Sequence, residues 1–580
     1  MTGPVHDAAA RTRSEAAATL ADLAERYWDG AMAGQPLFAT SIGDHRFDDR
    51  LRPNGPGAAE REIGWLEPIG SAARAVPRDA LDPLDAVTRD ELVDTIDGEL
   101  DALRSGVEAW TVDPLDGPQV TFLNVPAFQT IRTVEDADAL VARWREMGPW
   151  TDRLIESTRA ALAEGIVAPA ALVRSVVAEL DDLLARPTDE WPLVEPASAL
   201  PDDWPAARRD SIATAIRSSV ADGTRPAFER YRTFLVDELM PAARGDDRPG
   251  LSHVPGGDEA YARLVRVHTT LRLTPEAIHR IGLDETERID AEFRSLGERL
   301  LGTSDQAEVL ARLRSDPALH FSTPAEVFAV AEDTLARANA AIPDWFGRLP
   351  KAPCVVVEMG AHEAGHSTIA YYRQPAADGS RPGSYYINTT APETRPRYEA
   401  ETLGFHEAVP GHHLQIAIAQ ELEGLPMFRR MNGPTAFIEG WGLYSERLSV
   451  EMGLLSDPFA PFGVASFDAW RACRLVVDTG VHALGWSRDR AIAFMVEHTA
   501  LAENNIVNEI DRYLAVPAQA LAYKLGQREI LRLRDDARGR LGSAFDIRTF
   551  HDVVLGHGAV GLGTLGRLVE GWVADRSARG

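Results

Sequence analysis

Residues 401–446 read ETLGFHEAVPGHHLQIAIAQELEGLPMFRRMNGPTAFIEGWGLYSE, and the reading of this stretch sets the expected architecture. Leucine, alanine and isoleucine recur at helical spacing from His413 to Leu422, so a helix continues past the histidines. A second polar cluster, EGWGLYSE, opens at Glu439 on a further helix. His406, His412 and Glu439 supply two imidazoles and a carboxylate, a donor set that suits a zinc-type ion with one position left open. Glu407, beside His406, suits the base that takes a proton from water polarised by such an ion.

The spacing needs an irregularity. His406 and His412 are six residues apart, roughly 600° around a regular helix, which puts them on different faces. Pro410 and Gly411 stand between them, and Pro410 has no N–H for the helical ladder. A bulge absorbing two residues is expected to bring His412 to the second ligand position. His413, seven residues from His406, shares its face in a regular helix and is the rival ligand. Glu439 is the third ligand, and Glu446 either orients a ligand or competes as one. A tidier match to the zinc-helix pattern HExxH runs from His362 to His366. Val355–Val357 before it, Gly360 and Gly365 within it, and Tyr371-Tyr372 after it predict a loop between strands instead.

Composition sets the outer bounds. With 580 residues and 45% hydrophobic side chains the chain can bury large cores. A net charge of −28 argues against nucleic acid, which requires a basic footprint. No run of about 18 uncharged apolar residues predicts a membrane span. The polar start, with His6, Asp7, Glu15 and Asp22, reads as an amphipathic helix and not a signal peptide. Cys354 and Cys473 are the only cysteines, so a reducing, cytoplasmic location is expected. Lys351 and Lys524 are the only lysines.

The expected fold class is mainly α: a large multi-helix body with a deep cleft and a small β-sheet beside the metal-binding helix. Helical periodicity covers Asp85–Arg104, Ala137–Glu164, Ala168–Ala185, Trp204–Ala243, Asp258–Leu271, Thr274–Leu300 and Thr323–Ala341. Trp110–Gln129 reads as irregular. After Glu446, Pro461–Gly485, Ser487–Thr499, Ala502–Leu514, Pro517–Leu541 and Phe545–Leu555 are again helical. Strands are expected at Val355–Val357 and Ser384–Asn388, either as a structural hairpin or as an edge that holds a peptide. The breakers in Gly245–Gly257 mark a linker or loop. Residues 1–245 are read as a helical region walling the cleft and 258–580 as the metal-binding region, together one continuous body.

Four stretches carry a resemblance: HEAVPGHHLQ, EGWGLYSE, QALAYKLGQREILRLR and FDIRTFHDVVLGHGAVGLGTL. They resemble the bacterial family catalogued as domain of unknown function 885, most specifically between about Pro353 and Leu565. That family is distantly similar to helical zinc metallopeptidases of the carboxypeptidase Taq and thimet oligopeptidase type, whose HEAGH-type helix is matched here if Val409-Pro410 are an insertion. The resemblance implies a gluzincin-like site with His406, His412 and Glu439 on one Zn²⁺ per chain and Glu407 as general base. It also brings Arg512 and Tyr513 to the cleft.

Supporting roles follow from what such chemistry needs. Tyr523 and His551 are candidate catalytic donors to a developing oxyanion, with His557 as a substrate-binding candidate. Lys524 is a candidate partner for a substrate carboxylate. Asp478 and His482, four apart on a helix, are a candidate carboxylate–histidine pair near the metal. Tyr385, Tyr386 and Asn388 touch substrate if their strand is the cleft edge. The expected function is a zinc-dependent hydrolase of short peptides or small amides. The alternatives are a non-haem metal enzyme, a specialised amide hydrolase, or a non-catalytic metal-containing binding protein.

Overall fold

The computed structural model describes residues 4–360, 369–376, 379 and 381–579. The HExxH stretch His362–His366 lies outside the described residues. The architecture is mainly α, with a single three-stranded sheet among the described residues.

The N-terminal helices begin where side chains can close their first turns. Asp82 accepts from the Asp85 N–H ahead of Pro83–Ser105, and Thr133 forms a reciprocal capping box with Asp136 ahead of Val134–Ala163. The single helix expected over Trp204–Ala243 is broken instead. Helices Ala206–Ser218 and Arg225–Phe234 are joined and followed by π-turns, Ser219–Thr224 and Leu235–Leu239. Pro226 and Pro241 cannot donate to the ladder, and the wider turns accommodate the gaps. The irregular Trp110–Gln129 segment contains one short helix, Pro118–Asn124.

The elements around the site are α1 (Pro275–Leu301), α2 (Pro324–Trp345), β1 (Cys354–Glu358), β2 (Ala370–Arg373) and β3 (Gly383–Ile387). They continue with α3 (Arg397–Glu407), α4 (His412–Gln420), α5 (Thr435–Glu451) and α6 (Ala460–His482). Last come α7 (Glu503–Ala515), α8 (Leu521–Leu541) and α9 (Ile547–Leu555). The sheet order is β1-β3-β2. β1 and β3, the two strands read from sequence, run parallel with Val356 opposite Tyr385, so they are not a hairpin. The antiparallel partner of β3 is β2, with Tyr372 opposite Tyr385.

One buried apolar cluster runs from Leu51 through Trp144, Trp191 and Phe228 to Leu475 and Leu525, so residues on both sides of the Gly245–Gly257 loop share it. A second surrounds the motif helices and includes Phe405, Leu414, Trp441, Tyr444, Ile530 and Val554. Helix α6 is buried along nearly its whole length, with Pro461 and Trp470 the exceptions, and α1 and α8 both pack on it. Helices α5 and α8 approach backbone to backbone at Gly440 and Gly526. A Cβ on Gly526 would lie 1.9 Å from the Ala436 carbonyl oxygen, so no other residue permits this approach.

Candidate metal centre

The link between the first two histidines is a break and not a bulge. Helix α3 stops at Glu407, residues 408–411 turn, and α4 restarts at His412. Tertiary hydrogen bonds hold the turn: the Pro410 carbonyl accepts from Trp441 Nε1 at 2.9 Å and Ser445 Oγ at 3.2 Å, both on α5. Gly411 is required because a Cβ there would fall 1.9 Å from the His406 carbonyl oxygen. Two short helices meeting at this corner turn both imidazoles inward. Their rings cross at 84° with centroids 4.7 Å apart.

Glu439, from α5, completes the triangle. Its Oε2 lies 3.6 Å from His406 Nε2 and 3.5 Å from His412 Nε2, and one ligand atom from each residue falls within 4.8 Å of the others. Zinc bonds of about 2.0–2.2 Å place tetrahedral ligands roughly 3.4 Å apart, so these separations fit a single ion. They are long for hydrogen bonds. Glu446, one helical face along α5 and 1% exposed, accepts from His406 Nδ1 at 2.7 Å. That bond holds a proton on Nδ1 and turns Nε2 towards the triangle, where an ion would replace the second proton. Burial opposes charge on His406, yet Glu439 and Glu446 outweigh it and push the imidazole up to about 9. Burial likewise opposes charge on Glu439, and the two imidazoles outweigh it and hold the carboxylate well below its usual range. This is an anion-rich, water-poor donor set of the kind that a cation relieves.

Three further predicted groups are half-buried on the elements around the triangle. Glu407 is half-buried, and its charge helps to keep the buried Tyr385 hydroxyl protonated. Tyr523, on α8, is half-buried; burial and then the Glu439 charge raise its pKa, so it is an O–H donor at neutral pH. Arg512, half-buried on α7, spends its fork on Glu509 and Gln519 Oε1, the latter at 2.8 Å. Tyr513 is buried behind it and takes Arg474 Nε at 2.8 Å on its hydroxyl.

Several expectations are corrected by position. His413 is not directed at the triangle: its Nε2 donates to the Ala352 carbonyl at 3.1 Å and its Nδ1 accepts from the Tyr372 hydroxyl at 3.0 Å. Asp478 and His482 do not pair with each other. Asp478 accepts from the Tyr261 hydroxyl and the Ala518 N–H, while His482 donates to the Tyr513 carbonyl at 2.9 Å and accepts from the Leu251 N–H at 3.3 Å. His551 is fully buried, stacked on Phe346, donating to the Trp345 carbonyl at 2.8 Å and accepting from the Tyr444 hydroxyl at 2.7 Å. All three are neutral core imidazoles with both nitrogens satisfied, and burial lowers their pKa values to about 4 for His413 and about 3 for His482 and His551. His557 bonds back to the Val553 carbonyl at 3.3 Å. Tyr386 stacks on Tyr371 at 4.8 Å, and Asn388 takes the Thr390 hydroxyl at 2.6 Å.

Lys524 is 1% exposed and, at the wall of a separate cavity lined by Glu285, Asp468 and Gln527, meets protein carboxylates. Its ammonium pairs with Asp468 and, at 3.3 Å, with Glu285, and it donates to Gln527 Oε1 at 2.8 Å. Arg288 and Arg447 converge on the same Asp468. Two other buried cations keep unpartnered N–H groups, Arg471 and Arg474 of α6, which the motif reading missed. Their signal in sequence is an arginine pair three apart within the apolar stretch WRACRLVV, where buried charge demands a partner.

The chain belongs to the family described as bacterial protein of unknown function (DUF885), whose model matches residues 36–569. No curated protein matches it. Among solved structures it is similar to "the putative lipoprotein from Colwellia psychrerythraea", with 27% identity, a TM-score of 0.89, and coverage of 97% of this chain and 99% of that one. It also shares its fold with "a putative lipoprotein of unknown function from Shewanella oneidensis", at 15% identity, a TM-score of 0.73, and coverage of 95% and 99%. No described helix is long and apolar enough to cross a membrane.

Proposed function

We propose that the protein is a zinc-dependent hydrolase, gluzincin-like in its ligands, acting on short peptides or small amides. The observation that carries this reading is the convergence of His406 Nε2, His412 Nε2 and Glu439 Oε2, with Glu446 setting the His406 tautomer and Glu407 on the same helix end. His406, His412 and Glu439 would hold the ion, which supplies Lewis-acid polarisation of the scissile carbonyl and of the attacking water. Glu407 takes one proton from that water as its oxygen joins the carbonyl carbon, and returns it to the amine nitrogen as the C–N bond breaks. The Tyr523 O–H donates to the carbonyl oxygen as negative charge builds there. The acyl product leaves as a carboxylic acid and the other product as an amine, so one water is consumed per bond.

The test is metal content together with peptide-library cleavage, for wild type and Glu407→Gln. One zinc per chain and cleavage by wild type are expected. In the variant cleavage falls about 10²–10⁴-fold, the usual contribution of a general base, while zinc stays bound. Wild-type protein that is folded but binds no zinc overturns the proposal. The location is a companion proposal: Cys354 and Cys473 are both unpaired, which favours the cytoplasm. Cell fractionation tests it against a lipid-anchored location such as the name of the Colwellia structure suggests for that protein.

A further inference from the structure

Helix α6 carries two buried guanidinium groups whose hydrogen-bonding capacity the described residues do not fill. Arg471, on α6, is 5% exposed, yet its Nε and Nη1 have no hydrogen-bond partner among the described residues. Its guanidinium is set between aromatic rings, with its carbon 4.1 Å from the Trp470 ring centroid, 4.6 Å from Phe467 and 6.0 Å from Tyr523. Arg474, one turn along and 3% exposed, donates from Nε to the Tyr513 hydroxyl at 2.8 Å and from Nη2 to Glu509 at 2.9 Å. Its Nη1 is likewise unpartnered among the described residues, and its carbon lies 4.4 Å from the Tyr523 ring centroid.

Leaving guanidinium N–H groups buried and unpaired is costly, and a ligand carboxylate would supply the partner. The acids nearest to Arg471 are already committed: Glu446 to His406 Nδ1, and Glu509 to Arg474, Arg512 and the Tyr513 hydroxyl. In a chain of net charge −28 this local cationic pair stands against the general field. Planar guanidinium forks match a carboxylate in two-point geometry, and flanking aromatic faces keep them oriented. Tyr523 touches both arginines on one side and feels Glu439 on the other. Tyr523 therefore links the two arginines to the metal triangle.

We propose that Arg471 and Arg474 form a carboxylate subsite, so that substrates are peptides or N-acylated amino acids with a free α-carboxylate beside the scissile amide. The protein then releases C-terminal residues one at a time, by the same addition of water across the C–N bond. This deepens the hydrolase reading and rests on it for the reaction, while the binding subsite is testable apart from it. Lys524 is not part of the subsite, since protein carboxylates hold it.

The test is calorimetric binding of N-acetylphenylalanine and N-acetylphenylalanine amide to wild type and Arg471→Gln. Nε and Nη1 of Arg471 have no hydrogen-bond partner among the described residues, so the substitution breaks no bond from them. Wild type is expected to bind the acid about tenfold or more tightly than the amide, a preference that shrinks to within about twofold in the variant. Equal affinities in wild type, or no measurable binding of the acid, overturn the subsite without recourse to any variant. An acid preference retained in a folded Arg471→Gln overturns it too, because the carboxylate is then bound elsewhere, as on the metal. Acid preference without any peptide cleavage defeats the hydrolase reading but leaves the subsite standing. Cleavage with no acid preference does the reverse.

Discussion

His406 shows how one residue's chemistry is divided between two glutamates on the same helix. Glu446 takes the Nδ1 proton at 2.7 Å, and Glu439 lies on the Nε2 side at 3.6 Å. Removing the buried acceptor in Glu446→Ala leaves the ring free to turn and to change tautomer. Zinc affinity is expected to fall about 10–100-fold, measured by competition with a chromogenic chelator. A second residue-scale effect concerns pH. Burial pushes Asp478 up to about 7 against the opposing bonds from Tyr261 and Ala518, so the folded chain holds a proton that the unfolded chain releases above about pH 4. Stability from this group is fully present below about pH 4 and is lost as pH rises through about 7. The Asp478→Asn substitution keeps the shape of the side chain and removes its ionisation. Melting temperatures of that variant should gain on wild type between about pH 4 and 7, and parallel curves would refute the assignment.

At the scale of elements, the site depends on how closely helices approach. Glu439 and Tyr523 come within electrostatic reach because α5 and α8 meet at Gly440 and Gly526, with the Gly526 Cα 2.5 Å from where a Cβ on Gly440 would stand. Gly526→Ala forces the helices apart. The cost expected in chemical denaturation is about 1–3 kcal/mol, the usual range for overpacking, and turnover falls with it because Tyr523 moves away from Glu439. The corner between α3 and α4 was legible only in part. Val409-Pro410-Gly411 announced an irregular helix, but whether it bulged or stopped was set by α5, whose Trp441 and Ser445 hold the Pro410 carbonyl. His413 lost its claim as a ligand for the same reason: the break rotated it towards Tyr372 and the Ala352 carbonyl.

Across the whole molecule, a buried ionic network ties α1, α5, α6 and α8 together through Glu285, Arg447, Asp468 and Lys524. Lys524→Met is expected to cost about 3 kcal/mol, towards the low end for breaking a buried pair because Arg447 and Arg288 still face Asp468. The surviving folded protein should keep its KM for peptide substrates; a raised KM would return Lys524 to the substrate-binding residues. The mainly helical class, most helix positions, the two main strands and the His406–His412–Glu439 set were readable from the chain, because periodicity, prolines and ligand chemistry are local properties. The sequence alone could not separate the core imidazoles His482 and His551 from site residues, since an isolated histidine looks the same whether its two nitrogens meet carbonyls or an ion. Nor could it rank Lys524 against Arg471 as the buried cation left without a carboxylate. That choice is decided by which buried charge finds a carboxylate within reach, and the distances that settle it exist only once α6, α7 and α8 have packed.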